Sequence, residues 1–261
     1  MNEFFDYITF NIENRPQAFG PYHLICLFIV VALCALCIIF RKKLSDKFVN
    51  NTLIVVGALY ILLEVYKQIV FVHNEWHFTN YSWYIFPMAF CSTPLYLTMT
   101  AGIIKKGKFY DYITSYLAIY AMFAGLCVMA LPGDVLIRWA GINFQTMFLH
   151  GGMIVIAFLL LATNRVLPTW KTFLKGTIVF GVFLAIALIM NFAWPLLKID
   201  ALFNMFQLSP YYTCSLPILN TVQANAPYIV FLLTYVVGFV AVAALIFSIY
   251  KLVVKLGNKK A

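Results

Sequence analysis

Seven apolar runs, each long enough to cross a bilayer, fix what this chain can fold into. They cover about Pro21 to Phe40, Thr52 to Val72, Trp83 to Ile104, Tyr110 to Leu131, Phe144 to Thr163, Phe173 to Trp194 and Tyr228 to Tyr250. A helix needs ~20 apolar residues to span the hydrocarbon core, and the runs have that length. The connecting loops are short except for Pro195 to Pro227. The chain is 64% hydrophobic and 10% charged, whereas a soluble domain is nearer half apolar and one quarter charged. Nothing is left over for a soluble domain. The expectation is an all-α, polytopic membrane protein with one domain, a bundle of seven transmembrane helices. The mildly polar residues 1–19 precede the first run with no small-residue cleavage site after it, so that run reads as a retained span and not a signal peptide.

The basic residues are sorted by loop. Arg41, Lys42, Lys43, Lys47, Lys105, Lys106, Lys108, Arg165, Lys171, Lys175, Lys251, Lys255, Lys259 and Lys260 fall on one side, and only Arg15, Arg138 and Lys198 on the other. Cytoplasmic loops carry the excess of Lys and Arg. The N-terminus is therefore expected outside and the C-terminus in the cytoplasm. The net charge of +9 is a topology signal that also suits an anionic inner leaflet, with no nucleic acid partner implied. Five of the six cysteines, Cys26, Cys34, Cys37, Cys91 and Cys127, sit in apolar runs, which argues against a disulfide framework; Cys34 and Cys37 read as small apolar residues. In the long loop, Ile199 to Leu208 is a short amphipathic stretch that either lies flat at the outer surface or folds over a cavity as a lid.

The third run holds Cys91, Ser92 and Thr93 between Pro87 and Pro94. A proline inside a helix frees a carbonyl and bends the axis, so a kinked helix with Cys91 between the kinks is predicted. Other polar residues fall at the same depth. With a rise of about 1.5 Å per residue, Cys91 lies roughly 12 Å inside Trp83, His150 roughly 9 Å inside Phe144, Glu64 and Lys67 roughly 13 and 9 Å below His73, and Asn191 roughly 10 Å below Lys198. His23, Asn225 and Tyr228 open their helices at the same rim. Ionisable groups in a membrane helix are costly unless paired or facing a cavity. A shared depth therefore points to one polar chamber opening outward.

Each residue also has a bland reading. Cys91 alone is a packing residue, and Ser92 and Thr93 bond to carbonyls one turn back. His150 is less easily dismissed. With Cys91 it supplies a nucleophile and the base that activates it, and Gly151-Gly152 beside it admits a close neighbour. Glu64 and Lys67, three apart, form an ion pair that either locks the second helix or holds a lipid phosphate on Lys67 with Glu64 orienting it. Asn191 cross-links helices or positions a substrate carbonyl. His73, Glu75 and His77 have a metal-like spacing but are expected in an exposed loop without further ligands. The sequon Asn80-Tyr81-Ser82 matters only in a secretory-pathway protein.

Several of these features together form a recognisable set: Phe19-Gly20-x-x-His23, the Pro-x-x-x-Cys of Pro87 to Cys91, Pro132, Phe148-Leu149-His150-Gly151, Asn191 and Pro227-Tyr228. Over most of its length the chain resembles the YwaF-like bacterial integral membrane proteins and their eukaryotic relative, a transmembrane acyltransferase that remodels ether phospholipids. One departure is Ala89, where family members tend to carry a polar residue, often histidine. The resemblance implies a bacterial plasma membrane and an acyl chain moved between phospholipid and lysophospholipid. In the eukaryotic relative a cysteine in the third helix carries the acyl group and a histidine in the fifth assists; those positions match Cys91 and His150. His23, Glu64, Lys67, Asn191 and Tyr228 would shape the chamber and hold substrate. No metal or organic cofactor is required, and membrane phospholipids are the expected partners. An ion-coupled transporter using Glu64, Lys67 and His150, an intramembrane lipid hydrolase and a non-enzymatic membrane protein remain alternatives.

Overall fold

The computed structural model describes residues 2–133, 135–200 and 203–258. They form α1 (Asn2–Thr9), α2 (Pro21–Ile39), α3 (Asp46–Trp76), α4 (Pro94–Ile104), α5 (Lys108–Tyr116), α6 (Met122–Ala130), α7 (Ala140–Ala162), α8 (Trp170–Leu196), α9 (Leu219–Asn225) and α10 (Tyr228–Asn258). A π turn at Leu117–Ala121 joins α5 to α6 in one continuous helix. By length and composition, six helices among the described residues can cross a membrane: α2, α3, α5 with α6, α7, α8 and α10. The protein is all-α. Among the described residues the nearest thing to a strand is one isolated bridge, Asn11 with Trp139.

Local chemistry sets several of the helix ends. Pro21 and Pro94 stand in the first turns of α2 and α4, where a missing N–H costs nothing. Ser45 and Thr169 cap α3 and α8, accepting from the Phe48 and Thr172 amides at 3.2 Å each. Several predicted boundaries move outward. α3 starts before Thr52 and continues past Val72, so His73 and Glu75 lie in its last turn and not in a loop.

The third predicted span is the main correction. It is not one kinked helix. Trp83–Ile85 is a single 3-10 turn, Phe86 and Ala89 are extended, Phe90–Ser92 is a second 3-10 turn, and only α4 is α-helical. The reason lies in the prolines. Pro87 disfavours helical backbone at Phe86, and Pro94 cannot supply a helical N–H. Too few residues remain between them to nucleate a helix. The Pro87 carbonyl, left without a helical partner, accepts from the Tyr96 hydroxyl at 2.7 Å.

α3 packs along α4, α2 and α6 along α7, and α5 along α8. At Gly57 the backbone of Met99 comes so close that no Cβ would fit, and this allows α3 and α4 to meet. The π turn is buried along its whole length at the centre. α2, α8 and α10 turn large apolar side chains outward, among them Phe28, Val31, Ile189, Val237 and Leu245. In a bilayer such faces meet lipid.

The long loop departs from both of its expected forms. Residues 201–202 of the amphipathic stretch lie outside the described residues, as do Lys259 and Lys260 of the basic tail. The following residues neither lie flat nor merely cover the bundle. Phe203, Met205, Phe206, Leu208 and Ser209 are almost wholly buried and plug the bundle between α8 and the Cys91 segment. Phe206 packs its ring on Phe90 and Phe180, and Phe203 stacks on Trp194 at 5.1 Å. Phe206 and Gln207 both take left-handed backbone (φ 57° and 59°) to make the turn.

Candidate functional site

Cys91 sits in the second 3-10 turn. The residue is partly buried. Its own backbone amide and the Ser92 hydroxyl lie against the sulfur. The turn is anchored at Thr93. The Thr93 hydroxyl bonds to the Phe90 carbonyl at 2.8 Å and shares a hydrogen bond with Tyr116, the last residue before the π turn. π turns recur at functional sites because they break the regular ladder locally.

The Glu64–Lys67 pair forms as predicted, with Nζ 2.8 Å from Oε1 and the side chains 6% and 16% exposed. Gln68 adds to it. Its amide donates to the same Oε1 at 2.6 Å and to the Ile85 carbonyl at 3.0 Å. The Tyr81 hydroxyl donates to Gln68 Oε1 at 2.7 Å. Burial, with the Glu64 charge adding to it, pushes the Tyr81 phenol up to about 12, so it remains a donor at neutral pH. Glu64 Oε2 is buried without a partner. The Lys67 charge reaches both Cys91 and His150.

His150 is buried in α7, with its Nδ1 2.7 Å from the Thr146 carbonyl. A carbonyl only accepts, so Nδ1 carries the proton and Nε2 holds a lone pair. That Nε2 is buried and has no partner. Gly125 of α6 packs on the His150 carbonyl, and a Cβ there would lie 2.5 Å from it. Gly151 receives Val30 of α2 and Gly152 receives the Tyr60 hydroxyl, the close approach predicted for the glycine pair.

Three predicted chamber residues serve other purposes. His23 Nδ1 accepts from the Phe19 amide at 3.0 Å and Nε2 donates to the Met129 carbonyl at 3.0 Å. Both ring nitrogens are thus occupied, Nδ1 on the entry to α2 and Nε2 on tying α2 to α6. Asn191 makes two bonds to the backbone of Met205, accepting from its N–H at 2.7 Å and donating to its carbonyl at 2.8 Å. The Tyr228 hydroxyl donates to the Leu208 carbonyl at 2.7 Å. Asn191 and Tyr228 therefore hold the plug, and Asn191 is wholly buried against it. Shared depth cannot reveal this, because a loop without helical periodicity supplied the partners.

The residues of the metal-like trio have other partners, although the His73 and His77 rings meet edge to face at 5.6 Å. His73 stacks on Phe5 at 5.0 Å, and Glu75 accepts from Ser82 and Tyr84. Among the described residues, no group of three or more His, Cys, Asp or Glu could hold a metal ion.

Sequence reasoning missed Tyr81, Tyr116 and the bracing role of Gln68. The spacing of Gln68, four after Glu64, signals a bond. Nothing local marks the two tyrosines. Tyr81 also lines a cleft of about 740 Å3 with Glu75, Trp83, Asn204, Gln207 and Tyr212, between the end of α3 and the plug. The buried network therefore begins at an open surface.

These features define a polytopic all-α membrane protein with a thiol, a histidine and an ion pair enclosed in its bundle. The chain belongs to the TMEM164 family, whose model matches residues 18–252. No curated protein and no solved structure matches it.

Proposed function

We propose that this protein is a phospholipid acyltransferase of the kind its resemblance to the YwaF-like proteins and the ether-phospholipid acyltransferase implies, working from the outer half of a bacterial plasma membrane. In this reading Trp83–Ile104 is a seventh crossing, with the N-terminus outside and the C-terminus in the cytoplasm. Membrane phospholipids are the partners, and the chemistry calls on no metal or organic cofactor.

The observation that carries the reading is the state of His150. Its Nδ1–H is fixed on the Thr146 carbonyl, and its Nε2 lone pair is left buried and unpartnered. This is the arrangement of a general base. Support comes from Cys91, which is partly buried in a short turn anchored through Thr93 on the buried Tyr116.

His150 Nε2 takes the Cys91 proton as the sulfur attacks the acyl carbonyl of a phospholipid. The ester C–O bond breaks, and the alkoxide leaves with that proton as a lysolipid. An acceptor hydroxyl gives its proton to Nε2, attacks the thioester and frees the thiol. Asn191 takes no part, since its amide is committed to Met205.

The test is transfer of labelled acyl chains between phospholipid and lysophospholipid in proteoliposomes, with intact-mass detection of a thioester. Wild-type protein should show transfer and a hydroxylamine-sensitive adduct, and Cys91→Ala neither. Full transfer by Cys91→Ala overturns the proposal. Release of free fatty acid without transfer assigns water as the acceptor.

A further inference from the structure

We infer that the cleft between the end of α3 and the plug binds an organic ammonium group, carried either by a lipid headgroup or by a free small amine. Its volume of about 740 Å3 is in the range of small-molecule sites. One wall is the end of α3 and the turn after it, with Glu75, Trp76, Tyr81, Trp83 and Tyr84. The other is the chain around the plug, with Asp200 and Tyr212.

The sign of the lining narrows the ligand. The chain has 18 basic and 9 acidic residues, yet Glu75 and Asp200 line this cleft and none of its described lining residues is basic. Lys198, next to Ile199 in the chain, is not among them. A concave site lined by one sign of charge focuses its field on the opposite sign. An anionic ligand is disfavoured.

The hydrogen bonds narrow it further. Trp76 Nε1 donates to the Ser82 hydroxyl at 2.7 Å, and the Ser82 and Tyr84 hydroxyls donate to the two oxygens of Glu75. Asn204 accepts from the Ser209 amide at 2.8 Å and donates to the Thr213 carbonyl at 3.3 Å. Gln207 accepts from the Ser215 amide at 3.0 Å. A neutral sugar or polyol is read by hydrogen bonds, and these groups already spend theirs within the walls. Ring surface and charge remain. Trp76, Tyr84 and Tyr212 stay exposed although the indole N–H and the Tyr84 hydroxyl are bonded. The donors on Glu75 are neutral, so they orient the carboxylate without pairing its charge. Aromatic faces backed by a carboxylate are the chemistry that receives an ammonium.

Tyr81 joins this cleft to the enclosed ion pair through its 2.7 Å bond to Gln68. A lipid whose amine sits in the cleft therefore has its headgroup at the mouth of the buried network. That the lipid is a substrate rests on the acyl-transfer reading above; binding of the amine does not.

Saturation-transfer NMR on the detergent-solubilised full chain gives Kd for four probes: choline, its neutral tert-butyl analogue, glycerophosphocholine and glycerophosphoglycerol. Choline should bind at least about tenfold more tightly than the neutral analogue, and Glu75→Gln and Tyr212→Ala should each weaken it by roughly threefold to thirtyfold. Glu75→Gln disturbs a wall that Glu75 braces; Tyr212→Ala removes a ring, keeps the backbone carbonyl that Gln223 bonds, and keeps the test open. Glycerophosphocholine binding as tightly as choline or better supports the inference with a lipid headgroup as the source. Choline binding with glycerophosphocholine excluded supports it with a free amine. Absence of saturable choline binding overturns it. So does equal binding of the neutral analogue or of glycerophosphoglycerol, or wild-type affinity in both variants. Cys91→Ala should bind choline as wild type does. Full transfer by Cys91→Ala sinks the acyl-transfer reading and leaves the cleft result standing, whereas missing choline binding beside intact Cys91-dependent transfer sinks this inference alone.

Discussion

The molecule holds charge in two places, and the two are built differently. At the end where α3, α5 and α8 begin, Arg165 donates to Asp46 at 2.7 Å, Asn50 at 3.1 Å and Tyr110 at 2.9 Å, and Lys175 donates to Asp111 at 2.6 Å. Asp46 is 98% exposed and Asp111 47% exposed, so water reaches both carboxylates, although the Arg165 Nε beside them is buried without a partner. Inside the bundle, Glu64 and Lys67 are shut away, and one carboxylate oxygen has no partner. His150 Nε2 shares that condition. Pairs at a rim are cheap and contribute little, whereas an enclosed pair costs desolvation unless everything around it is satisfied. The difference teaches where to look for chemistry. The rim pairs tie helix ends together with their carboxylates in water; the enclosed groups leave a carboxylate oxygen and an imidazole nitrogen buried without partners.

The largest contrast should appear in activity. Cys91→Ala is expected to lower acyl exchange by at least ~10³-fold, and His150→Ala by ~10²–10⁴-fold, as for loss of a nucleophile and a general base. Asp46→Ala at the rim should leave the rate unchanged in the same proteoliposome assay. Equal losses at both places would erase the distinction.

Stability sharpens it next. Lys67→Met should destabilise by about 3–5 kcal/mol, because it leaves a buried carboxylate alone. Adding Glu64→Gln should restore most of that in thermal unfolding of the detergent-solubilised protein. If the two single effects merely add, the pair is not coupled.

Asn191→Ala tests a third kind of polar burial, the amide that clamps a loop. It strands the N–H and the carbonyl of Met205, at about 1–3 kcal/mol each. Protease nicking within 203–215 should accelerate, while maleimide reaction at Cys91 on the folded fraction should persist. The smallest effect belongs to Asp46→Ala, expected to shift stability by less than about 1 kcal/mol. A larger cost would mean that the Arg165 cluster is structural in a way its exposure does not suggest.

Much of this was legible in the chain, for reasons that differ by residue. A span shows itself because hydrocarbon rejects unpaired backbone, so an apolar run of the right length has few other fates. Spacing along a helix is equally plain, and three residues between Glu64 and Lys67 fix a shared face. The prolines at 87 and 94 announced a break, but not that the chain between them would leave the helix altogether. That outcome depends on the Tyr96 and Thr93 hydroxyls donating to the freed Pro87 and Phe90 carbonyls, and on Tyr116 anchoring Thr93.

The sequence by itself determined an all-α membrane protein, most of its apolar helices, and which polar residues fall within them. Only the tertiary structure decided what each of them does. His23 and His150 look alike in sequence, each a histidine in an apolar run. One has both nitrogens bonded, to the Phe19 amide just before α2 and to the Met129 carbonyl in α6, and the other keeps one nitrogen without a partner. Asn191 matched Cys91 in depth but was claimed by Met205, from a loop whose inward fold no periodicity encodes. The physical reason is common to all three cases. Burial and spacing are properties of one helix and can be read along it, while a hydrogen bond belongs to two groups, and its second member lies wherever packing brings it.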